Sequence, residues 1–323
     1  MSDRAADIAA VLQDTPWQDW RAHAITGDAS ARRYLRLTSD GASVIVMDAP
    51  ADICTDTGRF VDIAQLLTQV GLAAPDVLKT DLSRGVLILS DLGPTDFAAH
   101  LRDHPEDEAV LYTAATDLLV AIRGIAPPSH LARLTPKVGA EMIGVLAPAY
   151  VDADITELQS ALHGALDRYA PIPDTLALRD FHAENLIWRP DRTGHARVGL
   201  LDFQDAFVAP AGYDLASLLR DARRDVSAQT SEAMIHRFVS AFDAGEAGLR
   251  LQIATLGVQR NLRILGIFAR LAQAGKPRYL RFMDRVWTHI QTDLATPALA
   301  DLRAAVTVTL PPPTPDHLQR LRP

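Results

Sequence analysis

The sequence predicts an α+β fold of two lobes, a small antiparallel sheet followed by a mainly helical C-terminal lobe. Between residues 20 and 89, short apolar runs with strand-like alternation are separated by turns that contain Gly, Asp or Ser. From residue 106 onwards, apolar residues recur mostly at helical spacing. The 323 residues suffice for two lobes, and strands followed by helices are typical of this class.

The N-terminal part is predicted to contain a short helix at residues 8–12, which ends before Pro16. Strands and one further helix follow it. The strands are expected at residues 20–25, 32–37, 43–47, 77–78 and 86–89, and the helix at residues 58–70.

The C-terminal part is predicted to be helical apart from one short hairpin. Its helical stretches are expected at residues 106–125, from 148 to before 171, from 213, and within 231–293. The hairpin would pair residues 186–188 with 197–201, and the proline-rich segment 311–315 is expected to be extended.

The composition is that of an ordinary globular protein, with 48% apolar and 22% charged residues. The net charge of −8 argues against nucleic acid as a partner. Cys54 is the only cysteine, which excludes an intramolecular disulfide and a cysteine zinc site. Because no apolar run approaches the ~20 residues of a membrane span and no leader pattern is present, we expect a cytoplasmic protein that does not bind membranes. We also expect a monomer.

Asp180, Asn185 and Asp202 are the candidate chemical residues, because each ends or follows a short apolar run. The intervening Asp-Arg-Thr-Gly favours the hairpin, which would bring Asn185 and Asp202 together. Mg²⁺ takes oxygen ligands and is completed by waters and phosphates, so these two residues are its candidate ligands. Asp180 then remains to face an acceptor hydroxyl. The alternative for an isolated Asp-x-x-x-x-Asn is a turn or capping pair.

This order, Asp180 followed five residues later by Asn185 and then by Asp202, resembles the aminoglycoside-phosphotransferase-like branch of the protein-kinase-like fold. The runs Leu-Asp-Phe-Gln-Asp-Ala at 201–206 and Tyr-Asp-Leu-Ala-Ser-Leu-Leu at 213–219 resemble the cell-wall sugar kinases of that branch more closely. Those enzymes phosphorylate the anomeric hydroxyl of N-acetylmuramate and N-acetylglucosamine. The resemblance implies a bilobal protein-kinase-like fold, ATP as phosphoryl donor, Asp180 as catalytic base and Mg²⁺ on Asn185 and Asp202.

The resemblance also implies a nucleotide-binding lobe at residues 1–92 and a helical lobe with the catalytic, metal and acceptor sites at 93–323. Its hinge, at residues 90–94, would bind the adenine through backbone groups of Ser90, Asp91 and Leu92. A loop of small residues between the first two strands would hold the phosphates, the alternative being a plain hairpin turn. The candidate loop residues are Gly27, Asp28, Ala29 and Ser30.

The third strand departs from the kinase pattern, because it ends in Met-Asp-Ala-Pro at residues 47–50 where kinases place a lysine. No lysine precedes Lys79. Arg32 and Arg33 are therefore the candidates for the phosphate charge, and the alternative for them is a solvated edge strand.

Acceptor recognition is expected in the segment 259–266, where Arg260 and Asn261 would contact sugar hydroxyls, an amide or a lactyl carboxylate. The alternative is that arginines on helix faces are solvated or paired with acids. Asp205 is a further candidate for the acceptor site, for support of the metal, or for a turn.

Three residues are expected to support the catalytic loop. Asp214 would brace the loop through Arg179, and His182 would support the loop without contacting substrate. His182 lacks the second histidine that a zinc motif requires.

The favoured hypothesis is an ATP-dependent kinase of the anomeric hydroxyl of N-acetylmuramate or N-acetylglucosamine, acting in peptidoglycan recycling. A second is a kinase of another small acceptor, such as an aminoglycoside, choline or homoserine; a cationic acceptor would want an acidic cleft. A third is a catalytically impaired, nucleotide-binding pseudokinase, which the missing lysine suggests. The presence of Asp180, Asn185 and Asp202 together argues against the third.

Overall fold

The computed structural model describes residues 4–25, 32–54, 57–242 and 245–322. Its helices are α1 (Arg4–Leu12), α2 (Thr57–Gln69), α3 (Phe97–Asp103), α4 (Glu108–Arg123), α5 (Pro136–Glu141), α6 (Thr156–Tyr169), α7 (Tyr213–Leu219), α8 (Ala228–Ser240), α9 (Glu246–Gln273), α10 (Met283–Leu294), α11 (Ala300–Thr309) and α12 (Pro315–Arg320). Its strands are β1 (Arg21–Ile25), β2 (Arg33–Ser39), β3 (Ala42–Asp48), β4 (Val77–Asp81), β5 (Val86–Ser90), β6 (Thr175–Ala177), β7 (Leu186–Trp188), β8 (Val198–Leu200) and β9 (Phe207–Ala209).

The chain forms two compact units, which confirms the α+β class. Unit 1 comprises Met1–Asp103 with Glu184–Asp205, and unit 2 comprises His104–Ala183 with Ala206–Pro323. This division differs from the predicted lobes, 1–92 and 93–323, because the hairpin of β7 and β8 belongs to unit 1. The Trp188 amide donates to the Thr95 carbonyl at 2.9 Å, and the Leu200 amide donates to the Ala73 carbonyl at 2.8 Å.

Unit 1 is built on a five-stranded antiparallel sheet in the order β1-β2-β3-β5-β4. Side chains alternate between the two faces of a strand, so Leu35 and Leu37 of β2 share one face. Helix α1 packs on this face through Val11 and Leu12. The apolar spacing that predicted a short N-terminal helix is thus explained by burial against the sheet.

Gly85 closes the turn between β4 and β5 in a left-handed conformation, with φ of 64°. The Ala49 amide donates to the Gly85 carbonyl at 2.8 Å, and a Cβ on Gly85 would lie 1.9 Å from the Ala49 carbonyl oxygen. Two costs therefore apply to any side chain here, backbone strain and a clash with main-chain atoms.

We expect Gly85→Ala to lower the free energy of unfolding by well over about 1 kcal/mol, as measured by urea denaturation. The matched control is Gly41→Ala in the turn between β2 and β3. Gly41 has φ of 80°, but no atom lies within 4 Å of the point that a Cβ would occupy, so this variant bears the strain alone. Equal losses for the two variants would show that the contact with Ala49 is unimportant.

Unit 2 is organised around α9, a helix of 28 residues that packs against α6, α7, α8 and α10. Leu256, Val258, Leu262 and Leu265 are fully buried, so this helix is apolar on several sides, as expected for a central helix. Strand β6 pairs antiparallel with β9, which sets the loop after β6 beside the beginning of α7. Among the described residues, no helix combines the length and apolarity that a membrane span requires.

Candidate active site

The hairpin of β7 and β8 in unit 1 places Asn185 and Asp202 at one end, as predicted. Leu186 pairs with Leu200 and Trp188 with Val198. Beyond the Leu186–Leu200 pair, the Leu201 amide donates to the Asn185 carbonyl at 3.0 Å. Asn185 therefore directly precedes one strand, and Asp202 follows the other by two residues.

Asp202 is exposed and has a left-handed backbone, with φ of 57°. A non-glycine residue in this region is strained, and such residues concentrate at functional sites. Two contacts hold the loop in place. The Gln204 amide Nε2 donates to Asp202 Oδ1 at 2.8 Å, and the Phe203 ring stacks on Phe60 of α2 with 4.9 Å between centroids.

The donor atoms of Asn185 and Asp202 are oxygens, the ligands that Mg²⁺ prefers. A pair of such side chains is short of a complete coordination shell and fits a cation that phosphate oxygens and waters also bind. Among the described residues there is no cluster of three or more His, Cys, Asp or Glu side chains arranged for a metal.

The loop that carries Asp180 belongs to unit 2 and follows β6. The Asp180 amide donates to the Leu178 carbonyl at 2.9 Å, and Arg179 has a left-handed backbone with φ of 74°. Asp214, in the first turn of α7, accepts from the Leu178 amide at 2.6 Å and from the Arg179 amide at 3.0 Å. The expected support from Asp214 therefore includes two backbone amides of this loop.

We expect Asp214→Asn to lower the free energy of unfolding by about 1–3 kcal/mol, because an amide has one acceptor oxygen and would turn its NH₂ towards a second N–H donor. Chemical denaturation would measure this loss, with the exposed Asp167→Asn on α6 as the control. A stability equal to that of the control variant would contradict the brace.

Burial raises the pKa of Asp214 from 3.8 to about 7, although the two backbone amides and Arg260 act in the opposite direction. The ionised form is the one that can accept from both N–H donors at once.

Arg260 lies beside Asp180, with 3.8 Å between Nη2 and Oδ1. The Arg260 side chain is 6% exposed and that of Asp180 is 37% exposed, so the arginine lies behind a carboxylate that reaches solvent. Asn261 points elsewhere. It is fully buried, and its Nδ2 donates to the Gly257 carbonyl at 3.0 Å within α9. The expected contact of Asn261 with an acceptor is corrected, because its side chain has no exposed surface.

His182, two residues after Asp180, is buried, and its Nε2 lies 3.3 Å from Nη1 of Arg223. Burial, followed by the charges of Arg223 and Arg260, holds the pKa of His182 well below its usual range. A neutral imidazole suits a supporting role rather than an exchange of protons with substrate. Asp221 is buried nearby and accepts from the Arg223 amide at 2.8 Å; no sequence motif had indicated it.

Of the expected nucleotide-binding residues, Gly27, Asp28, Ala29 and Ser30 lie outside the described residues. Arg32 is half-buried just before β2. Arg33 is exposed and lines, with Leu35 and residues of α1, a cavity of 420 Å³. Since this is the sheet face that α1 covers, the expectation that Arg33 meets nucleotide phosphates is corrected.

The expected hinge is tied to β2. Asp91 Oδ2 accepts from Nε of Arg36 at 2.6 Å, and Asp91 Oδ1 accepts from the Gly93 amide at 3.0 Å. The Ser90 hydroxyl accepts from the Asp76 amide at 2.8 Å, and Leu92 follows in the same extended segment. Arg36 was not singled out by the sequence, although it lies on the sheet face opposite α1.

The third strand, where kinases place a lysine, ends here in a partly buried ion pair. Asp48, at the end of β3, is 3% exposed and accepts from Nε of Arg4 at 2.9 Å and also from its Nη2. Lys79, the first lysine of the chain, donates to the Val11 carbonyl at 2.7 Å. Both contacts attach α1 to the five-stranded sheet. Asp205 is half-buried at the end of the unit 1 segment that contains the hairpin.

Comparisons with known proteins agree with this organisation. The model of a family described as "Phosphotransferase enzyme family" matches residues 21–251. The chain is 36% identical to an N-acetylmuramate/N-acetylglucosamine kinase of Caulobacter vibrioides, over 94% of this chain and 96% of that protein. It is 31% identical to a protein of the same name from Pseudomonas aeruginosa, over 86% and 85% of the two chains.

Solved structures share the fold. A choline/ethanolamine kinase family protein from Mesorhizobium loti superposes with a TM-score of 0.66 at 14% identity, covering 94% of this chain and 99% of that one. An aminoglycoside-3'-phosphotransferase of type VIII gives 0.56 at 18% identity, over 80% and 100%. The predicted protein-kinase-like fold is confirmed.

Proposed function

Since the chain belongs to the phosphotransferase enzyme family, we propose that it transfers the γ-phosphoryl group of ATP to the anomeric hydroxyl of N-acetylmuramate and N-acetylglucosamine. The products would be the sugar 1-phosphates of peptidoglycan recycling. The observation that carries this proposal is the extent of the similarity to kinases of these two sugars, which covers 94% of the chain. This similarity extends over more of the C-terminal helices than the match to the family model, which ends at residue 251.

In the proposed reaction, Asp180 orients the anomeric hydroxyl and accepts its proton. The hydroxyl oxygen forms a bond to the γ-phosphorus, the bond from that phosphorus to the β–γ bridging oxygen breaks, and ADP leaves. Asn185 and Asp202 would hold Mg²⁺, which supplies charge neutralisation on the phosphates. An anomeric hydroxyl is more acidic than an ordinary alcohol, so a weaker base suffices to take its proton.

The observed positions of the supporting residues agree with these roles. Asp214 fixes the backbone just before Asp180, and the Gln204 amide holds one oxygen of Asp202. Arg260 lies against Asp180 from the buried side. Such fixed geometry is what a phosphoryl transfer requires, because its catalysis is mostly positioning and charge stabilisation.

Kinases of cationic acceptors are the alternative within the same family. An aminoglycoside or choline would meet the positive charge of Arg260 beside the proposed base, which disfavours both. A pseudokinase is the alternative outside catalysis, and it would explain the absence of a lysine from the third strand.

A screen of acceptors with ATP and Mg²⁺ tests the proposal. We expect phosphate transfer to N-acetylmuramate and N-acetylglucosamine, and none above background to kanamycin, choline or homoserine, with ADP release as the readout. Turnover of an aminoglycoside alone would contradict the acceptor assignment and leave the reaction class intact. A protein that binds ATP but turns over no acceptor would support the pseudokinase.

A further inference from the structure

Arg263 lies three residues after Arg260 on α9, so the two side chains are neighbours on one side of the helix. Arg260 is 3.8 Å from Asp180. Burial, and next the charge of Arg179, lower the pKa of Arg263, while Tyr213 and Asp180 act in the opposite direction. Arg179, Arg260 and Arg263 thus lie near Asp180, and the buried Asp214 is a second carboxyl group close to Asp180 and Arg260.

The arginines elsewhere in unit 2 show how unusual Arg263 is. Arg220 pairs with Asp293 at 2.7 Å, and Arg224 lies 3.5 Å from Glu108. Arg263 is half-buried, and no ion pair or hydrogen bond joins its side chain to any residue that the structure describes. A cation withdrawn from water without a partner is costly, so an anionic group of a ligand would stabilise it.

A second observation concerns the Tyr213 hydroxyl, which is buried and makes no hydrogen bond within the described part of the chain. The charges of Arg260, Arg263, Asp180 and Arg179 all act on this hydroxyl. A polar group and a cation that both lack partners among the described residues therefore lie near the proposed base. Buried polar groups without partners are rare in folded proteins and call for an explanation.

We propose, on the basis of the function proposed above, that Arg263 binds the lactyl carboxylate of N-acetylmuramate and distinguishes this sugar from N-acetylglucosamine. Residues three apart on a helix are separated by about 5–6 Å, so Arg263 is displaced by about one turn from the arginine that contacts Asp180. The lactyl group is likewise displaced from the reacting hydroxyl, because it is attached at ring carbon 3 and the phosphate goes to carbon 1. A guanidinium binds a carboxylate in bidentate geometry, which adds both affinity and orientation.

The competing explanation is that Arg263 serves the phosphate groups of ATP. The two explanations differ in their dependence on the acceptor. A phosphate contact acts on every acceptor equally and raises the KM for ATP, whereas a carboxylate contact acts only on the sugar that carries a lactyl group.

The test compares kinetics of the full-length enzyme on the two sugars at saturating ATP. We expect Arg263→Gln to raise the KM for N-acetylmuramate by about 10- to 100-fold, the range for a lost hydrogen bond to a charged group. The KM for N-acetylglucosamine should change by less than about twofold, which also shows that the variant folds. Arg263→Lys should recover part of the loss, because it keeps the charge without the bidentate geometry.

Two controls sharpen the comparison. Arg270→Gln changes an exposed arginine on the same helix and should leave both sugars unaffected. The methyl ester of N-acetylmuramate keeps the size of the lactyl group without its charge, and its KM should be the same for wild type and Arg263→Gln. Equal losses on both sugars, a raised KM for ATP, or no loss on N-acetylmuramate would each overturn this inference alone. A wild-type enzyme that phosphorylates neither sugar would overturn the proposed function together with it.

Discussion

Asp180→Asn is expected to lower kcat by about 10²- to 10⁴-fold, the contribution of a positioned general base, while the affinity for ATP stays nearly unchanged. The amide retains the size of the side chain but cannot take the proton of the acceptor hydroxyl. Asp180 is assigned to the acceptor and not to the nucleotide, which is why the two measured quantities should separate.

Steady-state release of ADP and calorimetric titration with a non-hydrolysable ATP analogue would provide the two readouts. Asp301→Asn is the matched control, since Asp301 is an exposed carboxylate in the first turn of α11. The Asp180→Asn variant also removes the carboxylate beside Arg260, so thermal unfolding should be followed in parallel. Turnover close to that of the wild type would remove Asp180 from its assigned role.

Asp202→Asn is expected to have the second large effect, a fall in kcat of at least about 10²-fold together with a higher Mg²⁺ requirement. Charge stabilisation by a bound metal contributes several kcal/mol to the transition state, and each 1.36 kcal/mol corresponds to about a factor of ten in rate. The substitution removes the negative charge of the metal ligand and also alters the contact with Gln204.

Titration of activity with Mg²⁺ separates a metal effect from general damage. The control is Asp191→Asn, which changes an exposed carboxylate in the turn of the same hairpin. Raising Mg²⁺ should recover part of the activity of Asp202→Asn, whereas Asp191→Asn should lose no activity at any Mg²⁺ concentration. An unchanged half-saturating concentration of Mg²⁺ would show that Asp202 is not a metal ligand.

The sequence was most informative where local patterns determine structure. The turn residues between 188 and 198 favour a hairpin, and this hairpin sets Asn185 and Asp202 at one end. Strand alternation and helical spacing located β1 to β5 and α2 because those periods follow from burial on one face. The proline-rich segment is extended only as far as Thr314, since Pro315 begins α12, a position that proline favours.

The sequence failed where partners are distant along the chain. Arg4 pairs with Asp48 and Arg36 with Asp91, at separations of 44 and 55 residues, which no local pattern encodes. The position of Arg33 could have been predicted from the sequence, because its alternation with Leu35 and Leu37 already places it on the apolar face of β2. Asn261 could likewise have been placed, since the apolar residues around it indicate a helix buried on that side.

The position of the phosphate on the product is the most direct test of the proposed reaction. N-acetylglucosamine, ATP and Mg²⁺ would be incubated with the full-length protein, and the product analysed by phosphorus–proton coupling in NMR spectra. We expect a coupling from phosphorus to the anomeric proton and loss of the reducing end, which identify a sugar 1-phosphate. A phosphate on carbon 6, or a sugar recovered unchanged, would contradict the account.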